Sequence, residues 1–546
     1  MSQRALCNLM ACTLLLSRLP MAGAVTTEAR DVLQPLRVDD GVVVLSLTAN
    51  ISSELTDHLD EVRLRRIGGP NHGEAGKDQQ ENFLVRKTSA RIDRDTSLFM
   101  AALPLGDYEL SAFTKVTRLL DTETSQWKTV RTDITLSRPT QERLGTFTVL
   151  PGQTADLGRL ILTQLNRLTL LGRSRVVVSN RADVGRLIPA YQGVFALPAA
   201  RAWAGPPQID DHAEELALAR PTGAYCPDEW GDGRSVAASK FGSVIVRSTA
   251  GLWTVINGET IDSLTCVLPV DLPEASLFAV GVNGQIVKLA PGAGRLTPVD
   301  TGKVRFENLV YIAGNTKAGW YVVDLKDNLL TVYHALQMER GDWQAVHSDK
   351  LQARFFDSPT GFWPTRGASG FAYVLSDGVH ALDYASGKWE YHARPNSGNI
   401  LGAGFGAKGE IGVRGSALGN GFLSTDTGVT WKEIDIPLAL GMQSFGGPMQ
   451  LPDSSVLITA ARKEYGTWQF ALHATHDLGK HWHQVGDLPA YSRLVVLPSG
   501  NLLAVGGSTQ GLFTIRRSSD GGESWVQEYT NYDAKAYKAG LDKDVH

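Results

Sequence analysis

The sequence has few of the features that mark helical, membrane or nucleic-acid-binding proteins. Only 7 of its 546 residues are methionine, and no segment after the N terminus reaches 18 consecutive apolar residues, so no transmembrane helix is predicted. The 53 basic and 57 acidic side chains nearly balance, and the formal net charge of −4 provides no basic surface for nucleic acid. A hydrophobic content of 43% also excludes a disordered chain.

Glycine and tryptophan, in contrast, are plentiful. The 56 glycines and 12 tryptophans favour many tight turns with aromatic packing over long helices, which predicts an all-β fold. The length of the chain suggests two to four domains, or two if one of them is a large repeat fold.

The first 24 residues are predicted to be a signal peptide. Arg4 precedes a mostly apolar stretch, Ala5–Leu16, and Ala22–Ala24 forms an A-x-A cleavage site before Val25. An alternative is a lipoprotein signal at Leu9–Cys12, although methionine stands there where a small residue is preferred. We therefore expect a protein exported to the periplasm or secreted.

Cleavage at this site leaves two cysteines, Cys226 and Cys266. In an oxidising compartment they can form a disulfide, and closing a loop of about 40 residues would stabilise the fold by about 4 kcal/mol. The alternative is two buried thiols that lie too far apart to pair.

Residues 25–165 are predicted to form a β-sandwich. Seven short alternating or apolar runs, separated by Gly, Pro, Asn and Asp, lack a helical period. They are Val42–Leu47, Glu61–Ile67, Ser97–Leu103, Asp107–Thr114, Thr129–Leu136, Leu144–Leu150 and Gly158–Leu165. Residues 166–222 are predicted to be a linker with one short helix, Asp210–Ala219, which ends before Arg220 and Pro221.

A repeat of seven copies follows, over residues 223–532, before a tail at 533–546. In each copy a glycine is followed two or three positions later by tryptophan, except that the second copy has Leu296 instead. The glycines are Gly251, Gly294, Gly341, Gly387, Gly428, Gly479 and Gly522. Their mean spacing is about 45 residues, which is typical of four-stranded propeller blades, so a seven-bladed β-propeller is predicted.

Within the copies, turn pairs separate the second strand from the third. Asn283-Gly284 and Asp377-Gly378 are examples, and such pairs supply the positive φ that tight hairpins need. The blades are therefore predicted to be antiparallel meanders.

Two sets of motifs resemble known families. Leu103–Leu110 (LPLGDYEL) and Phe147–Gln153 resemble the turns of prealbumin-like accessory sandwiches, which serve as spacers or adhesive units. Three Gly-Trp turns resemble the Asp box, S/T-x-D-x-G-x-T-W, of the bacterial neuraminidase repeat family, which includes sialidases, other glycosidases, sortilin-type receptors and photosystem assembly factors. The matching residues are Ser424, Asp426, Gly428 and Trp431, then Thr475, Asp477, Gly479 and Trp482, and finally Ser518, Asp520, Gly522 and Trp525.

The Asp-box resemblance implies structural roles for these residues. The carboxylate accepts amide hydrogens of the turn, glycine takes the strained position, and tryptophan packs between blades. In such blades the box joins the third strand to the fourth, on the face opposite the usual ligand site. The turns between the second and third strands then point to the ligand side. Among them the turn of blade 6, Arg462–Trp468, is the longest, and it combines basic, acidic and aromatic side chains. Candidate ligand contacts are Arg414, Arg462, Lys463, Glu464, Tyr465 and Trp468; the alternative for this turn is a solvated hairpin tip.

The sequence contains few of the residues that catalysis by a sialidase requires. Those enzymes need three arginines on the sugar carboxylate, and the tetrapeptide that usually carries the first one does not occur here. The candidates for such an arginine cluster are Arg354, Arg366, Arg414, Arg462 and Arg493. Four histidines, His473, His476, His481 and His483, suggest a metal site, but two flank the Asp477 turn and no convergence is expected. No metal and no cofactor are predicted.

These observations favour an exported protein that binds a partner protein or an envelope polysaccharide. The alternative is a sialidase-like glycoside hydrolase that acts in the propeller funnel, which would require two carboxyl groups about 5 to 10 Å apart. An assembly factor of the photosystem type is permitted by the resemblance, but no residue of the sequence supports it.

Overall fold

The structure of the protein is a computed structural model. It describes residues 25–50, 59–69, 81–91, 96–121, 126–165, 168–174, 180, 189–200, 203, 212–351, 361–396, 400, 402–415, 420–437, 444–464, 467–488, 492–507 and 513–531. The predicted signal peptide and the C-terminal tail lie outside these residues. Within them, no helix has both the length and the apolar character needed to cross a bilayer.

The N-terminal module consists of eleven strands of one hydrogen-bonded sheet in the part of the chain described. The strands are β1 (Val25–Glu28), β2 (Asp40–Asn50), β3 (Glu61–Gly68), β4 (Glu81–Arg91), β5 (Thr96–Pro104), β6 (Gly106–Asp121), β7 (Gln126–Thr135), β8 (Thr146–Val149), β9 (Thr154–Leu165), β10 (Leu168–Arg173) and β11 (Ala199–Ala200). The main path runs β10-β9-β2-β5-β4-β3-β6-β7. All seven predicted runs overlap strands of this sheet.

The sheet folds around a single core. Side chains from both ends of the path, such as Leu45, Leu64 and Leu160, are buried in one apolar cluster. Because β4 pairs with β3 on one side and with β5 on the other, the two halves are continuous rather than separate sheets. The module is therefore sandwich-like, and a sandwich of two separate sheets is not confirmed.

Two local features of this module differ in how well the sequence predicted them. The LPLGDYEL turn joins β5 to β6, and the buried Tyr108 hydroxyl donates a hydrogen bond of 2.7 Å to the Pro104 carbonyl. Helix α1 (Arg138–Leu144) was not predicted, and it occupies the start of the expected Leu144–Leu150 strand. Ser137 caps this helix by accepting a hydrogen bond from the Thr140 amide, and Pro139 favours a helix start.

The segment between the two domains contains a 3₁₀ turn (Pro189–Tyr191), helix α2 (Gln192–Ala196) and helix α3 (His212–Ala219). Helix α3 packs between the N-terminal sheet and the propeller. Ala217 of this helix, Ile161 of β9, and Phe241 and Ile261 of the propeller form one buried cluster. The predicted linker thus contributes to a shared apolar interface.

Polar contacts reinforce the interface between the domains. The side chain of Arg159, fully buried on β9, pairs with Asp262 at 2.6 Å. The buried Asn50 side chain accepts a hydrogen bond from the Thr222 amide and donates one to the Arg220 carbonyl, at 2.7 and 3.1 Å. Since buried polar groups without partners are costly, these contacts select one arrangement of the two domains.

The propeller has seven four-stranded antiparallel sheets, counted over the described residues, with strands in chain order. Blade 1 comprises β12 (Tyr225–Glu229), β13 (Ser235–Ala238), β14 (Ser243–Arg247) and β15 (Trp253–Asn257), and blade 2 comprises β16 (Leu264–Pro269), β17 (Leu277–Gly281), β18 (Ile286–Leu289) and β19 (Thr297–Pro298). Blade 3 comprises β20 (Leu309–Asn315), β21 (Gly319–Lys326), β22 (Leu329–Ala335) and β23 (Gln344–Lys350), and blade 4 comprises β24 (Trp363–Arg366), β25 (Gly370–Val374), β26 (Gly378–Asp383) and β27 (Lys388–Ala393). Blade 5 comprises β28 (Gly402–Phe405), β29 (Ile411–Arg414), β30 (Gly421–Ser424) and β31 (Lys432–Ile434), and blade 6 comprises β32 (Ser444–Gln450), β33 (Val456–Glu464), β34 (Thr467–Thr475) and β35 (His483–Leu488). Blade 7 comprises β36 (Ser492–Val496), β37 (Leu502–Gly507), β38 (Phe513–Ser518) and β39 (Val526–Thr530). The all-β fold and the seven-bladed propeller are confirmed.

The turn residues lie where the repeat predicts them. Each of the seven repeat glycines falls between the third and fourth strands of its blade. Asn283 and Gly284 both have positive φ, at 58° and 65°, between β17 and β18. This is the backbone geometry of a tight hairpin turn, and it explains the Asn-Gly pair.

Neighbouring blades pack through the tryptophans of the Gly-Trp turns. Trp431 of blade 5 packs on a cluster that contains Val379 of blade 4 and Val413 of its own blade. Trp482 of blade 6 packs on a cluster that contains Ile434 of blade 5, and its indole N–H donates to the Asp435 carbonyl at 2.8 Å. Each of these tryptophans therefore joins its blade to the preceding one.

The ring closes by contacts between blades 7 and 1, because each blade is built from four consecutive strands. Arg247 of blade 1 pairs with Glu528 of blade 7 at 2.7 Å, and the Trp253 indole donates to the same carboxylate at 3.1 Å. Arg517 of blade 7 pairs with the buried Glu229 of blade 1 at 3.2 Å. A disulfide between Cys226 and Cys266 also joins the innermost strands of blades 1 and 2.

Replacing Trp431 with alanine is expected to lower the free energy of unfolding by about 2 to 3 kcal/mol, because a large contact between blades is lost. Loss of a fully buried tryptophan costs about 3 to 5 kcal/mol, but the Trp431 side chain is only half-buried. The matched control is Val429→Ala in the same turn, since Val429 is 61% exposed. Denaturant melts should show at most about 0.5 kcal/mol for the control; equal effects of the two variants would contradict the packing role.

Candidate functional site

The strand order gives the propeller two distinct faces. The third-to-fourth turns lie on one face, which we call the Asp-turn face because it carries the Asp turns Ser424–Trp431, Thr475–Trp482 and Ser518–Trp525. Since the strands are antiparallel, the second-to-third turns lie on the other side, which we call the opposite face. Candidate ligand contacts were predicted on this opposite face.

The Asp turns use their carboxylates within the turn itself. Asp426 accepts hydrogen bonds from the Thr430 amide and the Ser424 hydroxyl, both at 2.8 Å, and Gly428 has a φ of 93°. Burial acts to raise the pKa of Asp426, but the hydrogen bonds from Thr430 and Ser424 outweigh it and lower the pKa. Asp477 and Asp520 have the same arrangement, and their pKa values are also lowered by hydrogen bonds from His481 and Ser524. The carboxylates of Asp426, Asp477 and Asp520 therefore stabilise their own turns.

The four histidines near the Asp477 turn do not converge on one point. His481, whose side chain is 90% exposed, contacts Asp477 at 2.6 Å. His476 and His483 stack on each other with ring centroids 5.9 Å apart. Burial, followed by the nearby His483, lowers the pKa of His473. These residues are not among the groups of three or more metal-ligating side chains found in the described chain.

An arginine from blade 4 bridges the innermost strands of the first four blades. Arg366, at the end of β24, forms an ion pair with Asp228 of β12, in which Nε lies 3.0 Å from the carboxylate. It also donates to the Val267 carbonyl of β16 at 2.7 Å and to the Ile312 carbonyl of β20 at 2.9 Å. The guanidinium packs over the Tyr311 ring, 5.7 Å from its centroid.

The Arg366–Asp228 bridge is electrostatically satisfied. The exposed fractions of the two side chains are 17% and 15%. Burial acts to lower the pKa of Arg366, but Asp228 raises it overall. The charge of this arginine is thus neutralised within the protein, and both side chains cross-link the ring.

The other predicted arginines are dispersed. Arg354 lies outside the described residues, and Arg493 is exposed, with one nitrogen 3.5 Å from the Ala224 carbonyl. Arg414 is buried at the end of β29, and burial lowers its pKa. Arg414 therefore lies inside blade 5, near its opposite-face end. Among the described residues, Arg366 contacts the innermost strands of blades 1 to 3 and Arg493 lies near the Ala224 carbonyl, so these two arginines have different partners.

The remaining predicted ligand residues belong to the hairpin of blade 6. Its strands β33 and β34 have nine residues each, against four to eight in the second and third strands of the other described blades. Lys463 pairs with Trp468 and Glu464 with Thr467 at its end, and Arg462 pairs with Gln469. Tyr465 lies outside the described residues. This hairpin therefore has the longest second and third strands of the described blades, and its end points toward the opposite face. Blade 5, which carries Arg414, is its neighbour.

A polar cluster that the sequence did not predict lies between blades 3 and 4. His347 and Asp349 lie on β23, the outermost strand of blade 3, while Tyr373 and His380 come from β25 and β26 of blade 4. One Asp349 oxygen contacts the His347 ring at 2.8 Å and the His380 ring at 3.1 Å, and it accepts a hydrogen bond from the Tyr373 hydroxyl. His347, Asp349 and His380 form the one group of three or more metal-ligating side chains within the described residues.

The electrostatics of this cluster stabilise a charged carboxylate. Burial acts to raise the pKa of Asp349, but contacts with His347, His380 and Tyr373 hold it well below the usual range. Burial, reinforced by Asp349, raises the pKa of Tyr373 far above its ordinary value. Tyr373 is therefore a neutral donor and Asp349 an anion at all pH values near neutrality.

A partial signal for this cluster was present in the sequence. His347 and Asp349 are two residues apart in a strand, so they share one side of it. The partners His380 and Tyr373 come from a different blade, and only the packing of blade 4 on blade 3 brings them near.

Replacing Asp228 with alanine is expected to lower the free energy of unfolding by about 3 kcal/mol, because it leaves a largely buried arginine without its counter-ion. The matched control is Asp232→Ala, which removes the partner of Arg234 in an exposed pair of the same blade. An exposed pair contributes at most about 1 kcal/mol. Thermal and denaturant melts measure both variants, and a loss for Asp228→Ala no larger than for the control would contradict the bridge.

Comparisons with known proteins show no family for this chain. No protein-family model matches the chain, and no curated protein matches it. Among solved structures, the chain is similar to YCF48 bound to a D1 peptide, with 13% identity, 51% of this chain and 84% of that chain covered, and a TM-score of 0.34. It is also similar to a streptogramin B lyase, with 17% identity, 52% and 90% covered, and a TM-score of 0.36. Both are propellers.

Proposed function

We propose that this chain is an exported binding or scaffold protein that recognises a partner protein or an envelope polysaccharide through the opposite face. The observation that carries the proposal is the blade 6 hairpin, whose nine-residue strands extend toward that face. Its end combines Arg462, Lys463 and Glu464 with Trp468. Arginine and tryptophan are enriched among the residues that dominate binding energy at interfaces.

The arrangement at the innermost strands favours binding over the glycoside hydrolase alternative. A hydrolase of this type needs arginines free to hold a substrate carboxylate and a pair of carboxyl groups at the reacting bond. Arg366 and Asp228 neutralise each other, and Arg414 is buried within blade 5. The Asp-turn carboxylates are occupied by hydrogen bonds from their own turns.

The proposal is tested with the full chain and the triple variant Arg462→Ala, Lys463→Ala, Trp468→Ala. Binding to envelope extract, separated into protein and polysaccharide fractions, should weaken by about 30-fold or more, which corresponds to one interface hot spot of about 2 kcal/mol. The matched control is Leu252→Ala with Val429→Ala on the Asp-turn face, where both side chains are exposed.

Two results would contradict the proposal. One is an equal loss of binding in the hairpin variant and in the Asp-turn-face control. The other is turnover of chromogenic glycosides, a sialoside included, by the wild-type chain, which would favour the hydrolase. Binding to one fraction alone would distinguish a protein partner from a polysaccharide.

Export is part of the proposal and has its own test. The Cys226–Cys266 disulfide supports it, because disulfides persist mainly in oxidising compartments. Mass spectrometry of the protein expressed in a bacterial host with a periplasm should find a mature N terminus at Val25. A lipid-modified Cys12 at the N terminus would favour the lipoprotein alternative, and an uncleaved chain in the cytoplasm would contradict export.

A further inference from the structure

The cluster between blades 3 and 4 has the donor set of a metal centre. Ligand atoms of His347, Asp349 and His380 all lie within 4.8 Å of one another. Two imidazole nitrogens with one carboxylate oxygen suit Zn²⁺ and its neighbours in the first transition row, whereas Ca²⁺ and Mg²⁺ prefer oxygen ligands alone.

We propose that His347, Asp349 and His380 bind one divalent transition-metal ion of the Zn²⁺ class, which joins the outermost strand of blade 3 to blade 4. This inference is independent of the proposed function.

The distances require little rearrangement. A tetrahedral zinc ion with bonds of about 2.0 to 2.1 Å holds its ligand atoms about 3.3 Å apart. The Asp349 oxygen is now 2.8 Å from His347 and 3.1 Å from His380, so these two separations need to grow by about 0.2 to 0.5 Å to reach the tetrahedral value. The nitrogens of His347 and His380 lie within 4.8 Å of each other and need to come to about 3.3 Å.

The surroundings hold each ligand in position. The His347 ring stacks on Trp389, with centroids 4.2 Å apart and planes 11° from parallel. The His380 ring stacks on Tyr373 at 5.2 Å and 7°. Tyr373 also donates its hydroxyl hydrogen to Asp349. Such neighbours orient metal ligands and reduce the rearrangement needed on binding.

The site is neither sealed nor fully open. The side chains of His347, Asp349 and His380 are 24%, 17% and 11% exposed. An ion can therefore reach the three ligands from solvent, and a water molecule can complete a fourth position. This differs from the His481–Asp477 pair, in which the histidine side chain is 90% exposed and which belongs to no group of three metal-ligating side chains in the described part of the chain.

The test measures Zn²⁺ binding to the full chain after chelator treatment, by calorimetry and by native mass spectrometry. We expect one equivalent to bind tightly and to raise the thermal midpoint. His347→Gln should weaken this binding by more than about 100-fold, since loss of a ligand should exceed the 10- to 100-fold effect of an outer neighbour. Tyr373→Phe, which removes only the outer hydrogen bond, should weaken it by about 10-fold.

The matched control is His481→Gln. Like His347, His481 contacts an aspartate, Asp477, but it lies outside the cluster, so its loss should leave this binding unchanged. Co²⁺ replacing Zn²⁺ should give visible absorption bands of tetrahedral coordination that disappear in His347→Gln. Because His347 is partly exposed on an outermost strand, this variant should fold, and its circular dichroism spectrum checks that. The proposal fails if no stoichiometric ion binds, if His347→Gln binds as the wild type does, or if His481→Gln abolishes binding.

Discussion

The packing of each blade on the preceding one is the constraint on which the structure depends. A four-stranded sheet with two apolar faces cannot bury both of them alone, so each blade is stable only between two others. The tryptophans of the Gly-Trp turns contribute to this contact, since Trp431 packs against a cluster that contains Val379 and Trp482 against one that contains Ile434. Their position after the turn glycine explains why Gly and Trp recur together in the sequence.

Because each blade is built from four consecutive strands, no strand is shared between the first and last blades. Polar contacts and a disulfide connect the blades instead. Arg247 with Glu528 joins blade 7 to blade 1, and the Cys226–Cys266 disulfide joins blade 1 to blade 2. Arg366 connects blade 4 to the three blades before it. Such contacts also neutralise charged side chains of the propeller within the protein, as Asp228 does for Arg366.

The propeller was predictable because its signals are local. A turn glycine, its tryptophan and an Asn-Gly pair each depend on a few neighbouring residues, so their period reports the blade directly. Helix α1 and strand β4 were missed because the first depends on a cap at Ser137 and the second on pairing with both β3 and β5. The blade 6 hairpin was identified from its length and composition, but its sequence does not say what it contacts.

The sequence by itself determined the all-β class, the number of blades, the position of the turn glycines and the pair of cysteines available to join. Only the tertiary structure decided which distant residues meet. Arg366 contacts Asp228, 138 residues away, and His380 meets His347 from another blade. The physical reason is that hydrogen bonds and metal coordination act over about 2 to 3 Å. Closing the ring sets such distances between residues whose separation along the chain follows no pattern.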